Sequence, residues 1–260
     1  MGTGRGKQTP HLRRVRLEGV VPLELWDLVV DGGILWDHMA SPHFSAVLRN
    51  ALEALREGRA RSRSGSPLEA ARDFERVFVA GGRAGALGTL LPDGPFAGEA
   101  GGLALLREEG LPGMVVDMGQ TSIKVSHGGR RCVIPRDFDR LPARGGEAWT
   151  PEDRERLRDF LARALREGAG AIPPPAVVLA LPCELDDEGM PGGSSYAGME
   201  GDRTLVRDAF VRAGLGHARV LLINDAELAA ASARLAMPRV KTLVLTLGYG
   251  VGGAVLLPEK

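Results

Sequence analysis

The sequence contains few features of a secreted, membrane or metal-cluster protein. It has only two cysteines, Cys132 and Cys183, and their separation matches no metal-ligand spacing. No apolar run approaches the length needed to cross a bilayer. Residues 1–16 are polar and basic and no apolar segment follows them, so no signal peptide is predicted. We therefore expect a cytoplasmic protein that does not contact a membrane.

The chain also lacks a net charge that would attract a polyanion. Basic and acidic residues number 33 each, so no global field recruits nucleic acid or an anionic membrane surface. The arginine-rich piece Arg59–Arg63 fits a solvated linker better than a nucleic-acid patch, and residues 58–67 are expected to be the most mobile interior segment. By contrast, the 260 residues are 44% hydrophobic and include 36 glycines, which allows sizeable cores and many tight turns.

Hydrophobic periodicity predicts strands that alternate with helices. Residues 1–11 are expected to be a flexible lead, and residues 83–91 are expected to be helical. Apolar runs predict strands near 77–80, 177–181, 220–223 and 243–247, and apolar stripes predict helices near 44–55, 157–165, 205–213 and 226–236. Each strand runs into polar or glycine residues. This pattern predicts an α/β protein with its site at the carboxyl ends of the strands.

The segment Met114–Val125 predicts a hairpin with a polar turn. Asp117 ends the first strand, Gly119 lets the turn form, and Gln120, Thr121 and Ser122 add hydrogen-bonding groups. Such a turn can hold phosphate oxygens, with the carboxylate placed to hold Mg²⁺ directly or through water. An ordinary hairpin with a polar tip is the alternative.

Three further segments place polar or glycine residues after apolar strands. They are Asn224-Asp225, the run Gly248-Tyr249-Gly250-Val251-Gly252-Gly253, and Gly81-Gly82. Taken singly, each has an ordinary explanation: a helix N-cap, a plain hairpin, and a strand-to-helix turn. Taken together, in compatible secondary structure, they favour a common site at the ends of the strands.

The spacing Asp117-x-Gly119-x-Thr121-x-x-Lys124 resembles the first phosphate loop of the actin/Hsp70/sugar-kinase superfamily. LLINDAELAAASA (221–233), LVLTLGYGVGGAVL (243–256) and VFVAGGRAGAL (77–87) resemble the catalytic Asn-Asp segment, the second phosphate loop and the adenosine turn of the bacterial ROK group of sugar kinases and repressors. The loop PCELDDEGMPGGSSYAG resembles the region of sugar recognition in that group.

The resemblance implies two actin-like, ribonuclease H-like domains around an interdomain nucleotide cleft. In the family the adenosine turn comes last, whereas here it precedes the first phosphate loop, so we predict a circularly permuted order. Residues 111–239 would form the first domain, with its phosphate loop and catalytic Asp. Residues 240–260 would begin the second domain and residues 12–110 would complete it.

The resemblance also implies residue roles and an activity. Asp225 would be the catalytic base, and Asp117 would hold Mg²⁺. ATP would contact Asp117, Gly119, Gln120, Thr121, Lys124, Gly248, Tyr249, Gly250, Gly252, Gly81 and Gly82, and the substrate would contact Asn224, Asp225, Asp186 and Ser195. The implied enzyme is an ATP-dependent carbohydrate kinase that phosphorylates an alcohol group of a sugar or sugar-like small molecule.

Two departures from the family pattern keep a second interpretation open. The Glu-x-Gly-His sugar clamp and the cysteine-rich zinc motif are both missing, so no zinc is expected. A nucleotide- or sugar-binding regulatory protein that has lost catalysis is therefore the alternative. No helix-turn-helix extension precedes the domains, so no nucleic-acid partner is predicted. The residues leave the oligomeric state open, and the resemblance implies a homodimer.

Overall fold

The structure is a computed structural model that describes residues 8–81, 89–91, 93–137, 150–189, 191–192, 202–236, 239–248 and 250–259. It is a mixed α/β protein, which confirms that part of the predicted class. The helices are α1 (Phe44–Arg56), α2 (Glu99–Glu108), α3 (Pro151–Ala169), α4 (Leu205–Arg212) and α5 (Asp225–Ala236). In the described ranges, no helix is long and apolar enough to span a membrane.

The strands are short, and most coincide with the apolar runs of the sequence. In chain order they are β1 (His11–Arg14), β2 (Val20–Leu23), β3 (Val29–Val30), β4 (Gly33–Ile34), β5 (Arg76–Ala80), β6 (Thr89–Leu90), β7 (Gly113–Met118), β8 (Ser122–His127), β9 (Arg130–Pro135), β10 (Ala176–Leu181), β11 (Glu184–Leu185), β12 (Pro191–Gly192), β13 (Arg219–Asn224), β14 (Thr242–Leu247) and β15 (Val251–Leu256).

The chain divides into two compact units. The first unit contains Met1–Arg16 and Gly102–Asp225, and the second contains Leu17–Gly101 and Ala226–Lys260. These boundaries differ from the predicted divisions 12–110, 111–239 and 240–260. β1 belongs to the first unit because it pairs with β13. Most of α5 belongs to the second unit because its alanines pack in a core cluster with Phe78 and Val244.

The first unit is built on a six-stranded sheet in the order β1-β13-β10-β7-β8-β9. β7, β8 and β9 form an antiparallel meander, and β10, β13 and β1 continue the sheet in parallel on the other side of β7. β10 is buried throughout, as expected of a strand covered on both faces. One face packs against α3 and α4 through a large apolar cluster that includes Leu161 and Phe210.

Local sequence explains where α3 begins. Thr150 is the N-cap: its Oγ1 accepts a hydrogen bond from the Asp153 backbone N–H at 3.2 Å, and the Asp153 carboxylate accepts one from the Thr150 N–H at 3.1 Å. This reciprocal capping satisfies N–H groups that have no partner inside the helix. Leu157, Leu161 and Leu165 then form a fully buried stripe on the sheet.

The second unit is built on a five-stranded sheet in the order β2-β15-β14-β5-β6. β15 is antiparallel to both of its neighbours, β14 and β2, whereas β5 and β6 run parallel to β14 on its other side. α1 packs on one face with Leu48 and Leu55 fully buried, and the alanines of α5 pack on the other.

The two sheets share one pattern of strand order and direction. Each has three antiparallel strands followed by two parallel ones: β9-β8-β7-β10-β13 in the first unit and β2-β15-β14-β5-β6 in the second. In the second unit both ends of the chain supply the meander. Leu256 of β15 pairs with Val20 of β2, and the Leu257 N–H donates to the Gly19 carbonyl at 2.7 Å.

Several local predictions were wrong. The lead does not extend to residue 11, because His11 begins β1 and its backbone N–H bonds to the Ala218 carbonyl at 3.2 Å. Within the segment predicted to be helical, Thr89 and Leu90 form β6 instead, because their backbones pair with β5. Helix α1 begins at Phe44 rather than at Ser41-Pro42.

Candidate functional site

The first unit places its predicted catalytic and metal-binding carboxylates at one edge of its sheet. Asp117 is the penultimate residue of β7 and pairs with Ala180 of β10, and Ala180 pairs on its other side with Ile223 of β13. Asn224 and Asp225 follow directly. Since neighbouring strands lie about 4.8 Å apart, the backbones of Asp117 and Ile223 are separated by roughly 10 Å, and Asp225 lies two residues beyond Ile223. Both residues are half-buried, so their carboxylates are accessible at the carboxyl ends of the strands.

The turn after Asp117 is tight and carries an ion pair. The Gly119 N–H donates to the Ser122 carbonyl at 3.0 Å, and Lys124 Nζ lies 3.2 Å from Asp117 Oδ2. A Cβ on Gly119 would stand 3.1 Å from the Ser122 carbonyl oxygen and 3.3 Å from Lys124 Nζ. Glycine at this position therefore lets the turn close over the ion pair. Lys124 and Asp117 keep 22% and 25% of their side-chain surface exposed, so solvent reaches both groups.

The other two residues of this turn differ in exposure. The Gln120 side chain is buried, whereas Thr121 is exposed and can contact a ligand. The Thr121 carbonyl accepts a hydrogen bond of 2.9 Å from the backbone N–H of Arg136. Arg136 has no counterpart among the sequence-predicted site residues. Burial lowers its guanidinium pKa to about 10, so the side chain stays protonated at neutral pH.

Counting along the hairpin could have indicated Arg136. Gly128 and Gly129, both at positive φ, form the turn between β8 and β9, and the resulting register sets Pro135 opposite Ser122. The next residue, Arg136, therefore lies opposite Thr121 in the turn after Asp117. No motif marks this arginine, so only the pairing of the strands identifies it.

Asn224 has a structural contact that fixes the neighbouring loop. Its Nδ2 donates to the Cys183 carbonyl at 3.0 Å, which connects the end of β13 to the chain just beyond β10. The next residue, Asp225, is the first of α5. Because the helix begins at Asp225 itself, the carboxylate lies at the positive end of the helix dipole.

Asp186, a predicted substrate contact, occupies an exposed turn between β11 and β12. Its Oδ1 accepts a hydrogen bond from the Glu188 N–H at 3.0 Å, and its carbonyl accepts one from the Gly189 N–H at 3.0 Å. This is an Asx-type turn, in which the carboxylate supports its own backbone. The neighbouring Asp187 forms an ion pair with Arg16, which follows β1.

The second unit brings its two predicted nucleotide turns together. Gly81 follows β5 and lies against the end of β14, where an added Cβ would be 2.3 Å from the Leu247 carbonyl oxygen. Gly248 follows Leu247 and its N–H donates to the Gly250 carbonyl at 3.1 Å. Gly252 lies in β15 opposite Thr246. Gly81 and the Gly248–Gly250 turn therefore occupy the same carboxyl edge of this sheet.

Three predicted site residues, Gly82, Tyr249 and Ser195, lie outside the described residues. Among the residues that are described, no group of three or more His, Cys, Asp or Glu side chains could hold a metal ion. Asp117 alone still fits the predicted Mg²⁺. One carboxylate, completed by phosphate oxygens and water, is the donor set that Mg²⁺ takes in phosphoryl-transfer sites.

Comparisons with known proteins give one distant similarity. No protein-family model matches the chain, and no curated protein matches it. Among solved structures, it is similar to an inorganic polyphosphate/ATP-glucomannokinase from Arthrobacter sp. strain KM, with 20% sequence identity and a TM-score of 0.39. The similarity covers 57% of this chain and 59% of that one. A TM-score this low establishes neither family nor activity.

Proposed function

We propose that the chain is an ATP-dependent kinase that transfers a phosphoryl group to a hydroxyl of a sugar or sugar-like small molecule. The observation that carries this proposal is the position of Asp117 and Asn224-Asp225 on parallel strands separated only by β10. Two strand spacings, roughly 10 Å between β7 and β13, leave room for a phosphoryl group and its acceptor hydroxyl between the two carboxylates.

The proposed chemistry assigns one task to each carboxylate. Asp225 accepts the proton of the acceptor hydroxyl as its oxygen bonds to the γ-phosphorus of ATP, a contribution of about 10²–10⁴-fold. The bond from that phosphorus to the oxygen of the β-phosphate breaks in the same transfer, and ADP leaves. Asp117, oriented by Lys124 at 3.2 Å, is the residue that would hold Mg²⁺. When bound, this ion neutralises charge on the phosphoryl oxygens.

Backbone groups are the proposed phosphate ligands in both units. In the first unit the turn at Gly119–Thr121 presents N–H groups beside Asp117, as phosphate-binding turns do. In the second unit Gly248, Gly250 and Gly81 are the proposed contacts for phosphate and adenosine. Their glycines leave the backbone uncovered, so a ligand can approach it closely.

The shared strand pattern supports ribonuclease H-like domains in circularly permuted order. The first unit forms its five-strand pattern from β7, β8, β9, β10 and β13 in chain order. The second unit forms the same pattern only when the chain is read from β14 and β15 to β2, β5 and β6. A permuted gene explains this order in one step, and the paired ends of β15 and β2 are then the site of the break.

The decisive experiment compares the chain with Asp225→Asn. Asn and Asp cap helices about equally well, so the melting temperature is expected to stay the same if only the cap matters. A catalytic base would lose turnover by roughly 10²–10⁴-fold with little change in ATP affinity. ATP consumption against a panel of sugars is the measurement.

A matched control is Asp208→Asn in the first turn of α4, which should leave turnover and ATP affinity unchanged. Unchanged turnover in Asp225→Asn would contradict the assigned base. ATP binding without consumption on any acceptor would instead support the regulatory alternative, which the missing sugar clamp favours.

A further inference from the structure

Lys124 and Asp117 lie directly opposite each other on β8 and β7, beside the turn at Gly119–Thr121. They are partners in the antiparallel register, so their side chains point to the same face of the sheet. Lys124 Nζ lies 3.2 Å from Asp117 Oδ2. The carboxylate assigned to the metal therefore already has a lysine as its counter-ion.

The same ammonium group lies over the backbone of the turn. A Cβ placed on Gly119 would be 3.3 Å from Lys124 Nζ, and the hydrogen bond from the Gly119 N–H to the Ser122 carbonyl keeps the turn tight. Phosphate oxygens held by the N–H groups of this turn would come within reach of Nζ. Because a lysine ammonium is carried on a flexible four-carbon stem, it can contact either the carboxylate or a phosphate.

Lys124 and a divalent cation compete for the same carboxylate. Two positive charges this close together repel each other, so a cation that binds Asp117 has to displace the ammonium and break the ion pair. The Lys124 and Asp117 side chains are only 22% and 25% exposed, so water screens the pair less than it screens a pair on an open surface. A phosphate on the turn offsets this cost, because it gives the ammonium a second anion to contact.

We propose that Lys124 blocks Asp117 to divalent cations until the phosphates of a nucleotide attract its ammonium to the turn. The nucleotide rests on the proposed function, whereas the block depends only on Lys124 and Asp117. Metal and nucleotide then each raise the affinity for the other, since such coupling is reciprocal. Lys124 is in this way the residue that makes Asp117 accept a metal together with a nucleotide and not before it.

The first measurement uses the full chain without nucleotide and Mn²⁺ as the probe, because Mn²⁺ prefers the same oxygen ligands as Mg²⁺. Free Mn²⁺ is quantified by electron paramagnetic resonance. Lys124→Met removes the charge and should bind Mn²⁺ at least about fivefold more tightly than the unmodified chain. Adding Asp117→Asn to this variant should abolish the gain. Lys124→Arg keeps the charge and should bind Mn²⁺ as weakly as the unmodified chain.

The second measurement titrates a non-hydrolysable ATP analogue into the metal-free chain by calorimetry. Lys124→Met should weaken its binding by at least about fivefold, because the phosphates then face the Asp117 carboxylate without the ammonium between them. Lys241→Met is the matched control. It removes a lysine charge in the second unit, where Lys241 Nζ donates to the Arg72 carbonyl, and it should behave as the unmodified chain does in both measurements.

Equal Mn²⁺ affinity in Lys124→Met and the unmodified chain would overturn the proposal. A gain of the same size in Lys124→Arg would also overturn it, because a change of side-chain shape would then be sufficient. Lys124→Gln gives the same comparison if Lys124→Met does not fold. If Mn²⁺ affinity rises as expected but the unmodified chain does not bind the ATP analogue, the block at Asp117 stands and the proposed kinase function is contradicted.

Discussion

Replacing Gly81 with alanine tests whether the second unit depends on the close contact between the ends of β5 and β14. Gly81 has φ +100°, a conformation that residues with a side chain rarely adopt. Its added Cβ would lie 2.3 Å from the carbonyl oxygen of Leu247, 2.7 Å from its carbonyl carbon and 3.1 Å from its nitrogen. All three atoms are backbone, so no side-chain rotation can relieve the clash.

The expected loss combines backbone strain with displacement of paired strands. A left-handed backbone conformation costs about 1–2 kcal/mol for a residue with a Cβ, and forcing extra atoms into a packed site costs about 1–3 kcal/mol. We therefore expect Gly81→Ala to lower the free energy of unfolding by about 2–5 kcal/mol. The strands cannot separate cheaply, because Ala80 pairs with Thr246 immediately before the contact.

Two glycines provide matched controls. Gly65 also has a positive φ of +80° but has no atom within 4 Å of an added Cβ, so Gly65→Ala should lose only about 1–2 kcal/mol from strain. Gly248 likewise has open space around it, and its alanine variant should lose less than about 1 kcal/mol. Urea unfolding would be followed by tryptophan fluorescence, since Trp26 and Trp36 lie in the second unit. A loss in Gly81→Ala no larger than that in Gly65→Ala would refute the argument.

Two further predictions concern the contact between α2 and α5 and the thiol of Cys132. On an exposed helix, Gly101→Ala would raise the free energy of unfolding by about 1 kcal/mol. Here the new Cβ would lie 2.6 Å from the Ala231 Cβ, so we expect urea unfolding to show a decrease of about 1–3 kcal/mol. An increase would contradict this packing. Burial and the charge of Glu167 raise the pKa of the Cys132 thiol from 9.0, against a smaller lowering by Arg130. Alkylation of Cys132 by iodoacetamide should therefore need higher pH than in the urea-unfolded chain, and Glu167→Gln should reduce that difference. The Cys132 thiol ionises at a lower pH in the unfolded chain than in the folded chain, so the free energy of unfolding should fall as the pH rises past 9.0. An identical pH dependence of alkylation in the folded and unfolded chains would contradict the raised pKa.

Strands with continuous apolar runs were predictable because burial on both faces leaves an unambiguous pattern. Val177–Leu181 was expected to be a strand and lies within β10, all of whose residues are buried. Val115, Val116, Ile123 and Val125 likewise predicted the hairpin of β7 and β8. Since such strands end at one edge of a parallel sheet, the common location of Asp117 and Asp225 also followed from the sequence.

Elements held mainly by backbone pairing were not predictable. β1 has an alternation of exposed and half-buried side chains, with two arginines in four residues, and its strand conformation depends on β13 more than two hundred positions away. β6 is exposed at both positions. Neither presents an apolar face that periodicity could detect, so only the partner strand determines the conformation.

Parts of the site escaped prediction for a related reason. The contact of Gly81 with Leu247 joins positions 166 residues apart in the chain, and the two turns carry no signal that they touch. Residues 61–66 have the composition of a solvated loop, and the hydrogen bonds of Ser62 to Asp27 and of Ser66 to Glu24 cross 35 and 42 positions. Composition reports how polar a segment is, but not which buried acceptor it reaches.

The strand order has a consequence for synthesis on the ribosome. β14 is the central strand of the second unit, and it follows β2, β5 and β6 in the chain. The early strands β2, β5 and β6 therefore emerge without the strand that joins them, although they are synthesised first. The sheet of the first unit is complete once β13 has emerged. Because domains fold as units when their strands become available, β2, β5 and β6 precede the core strands of the first unit in the chain but are the last to acquire their tertiary structure.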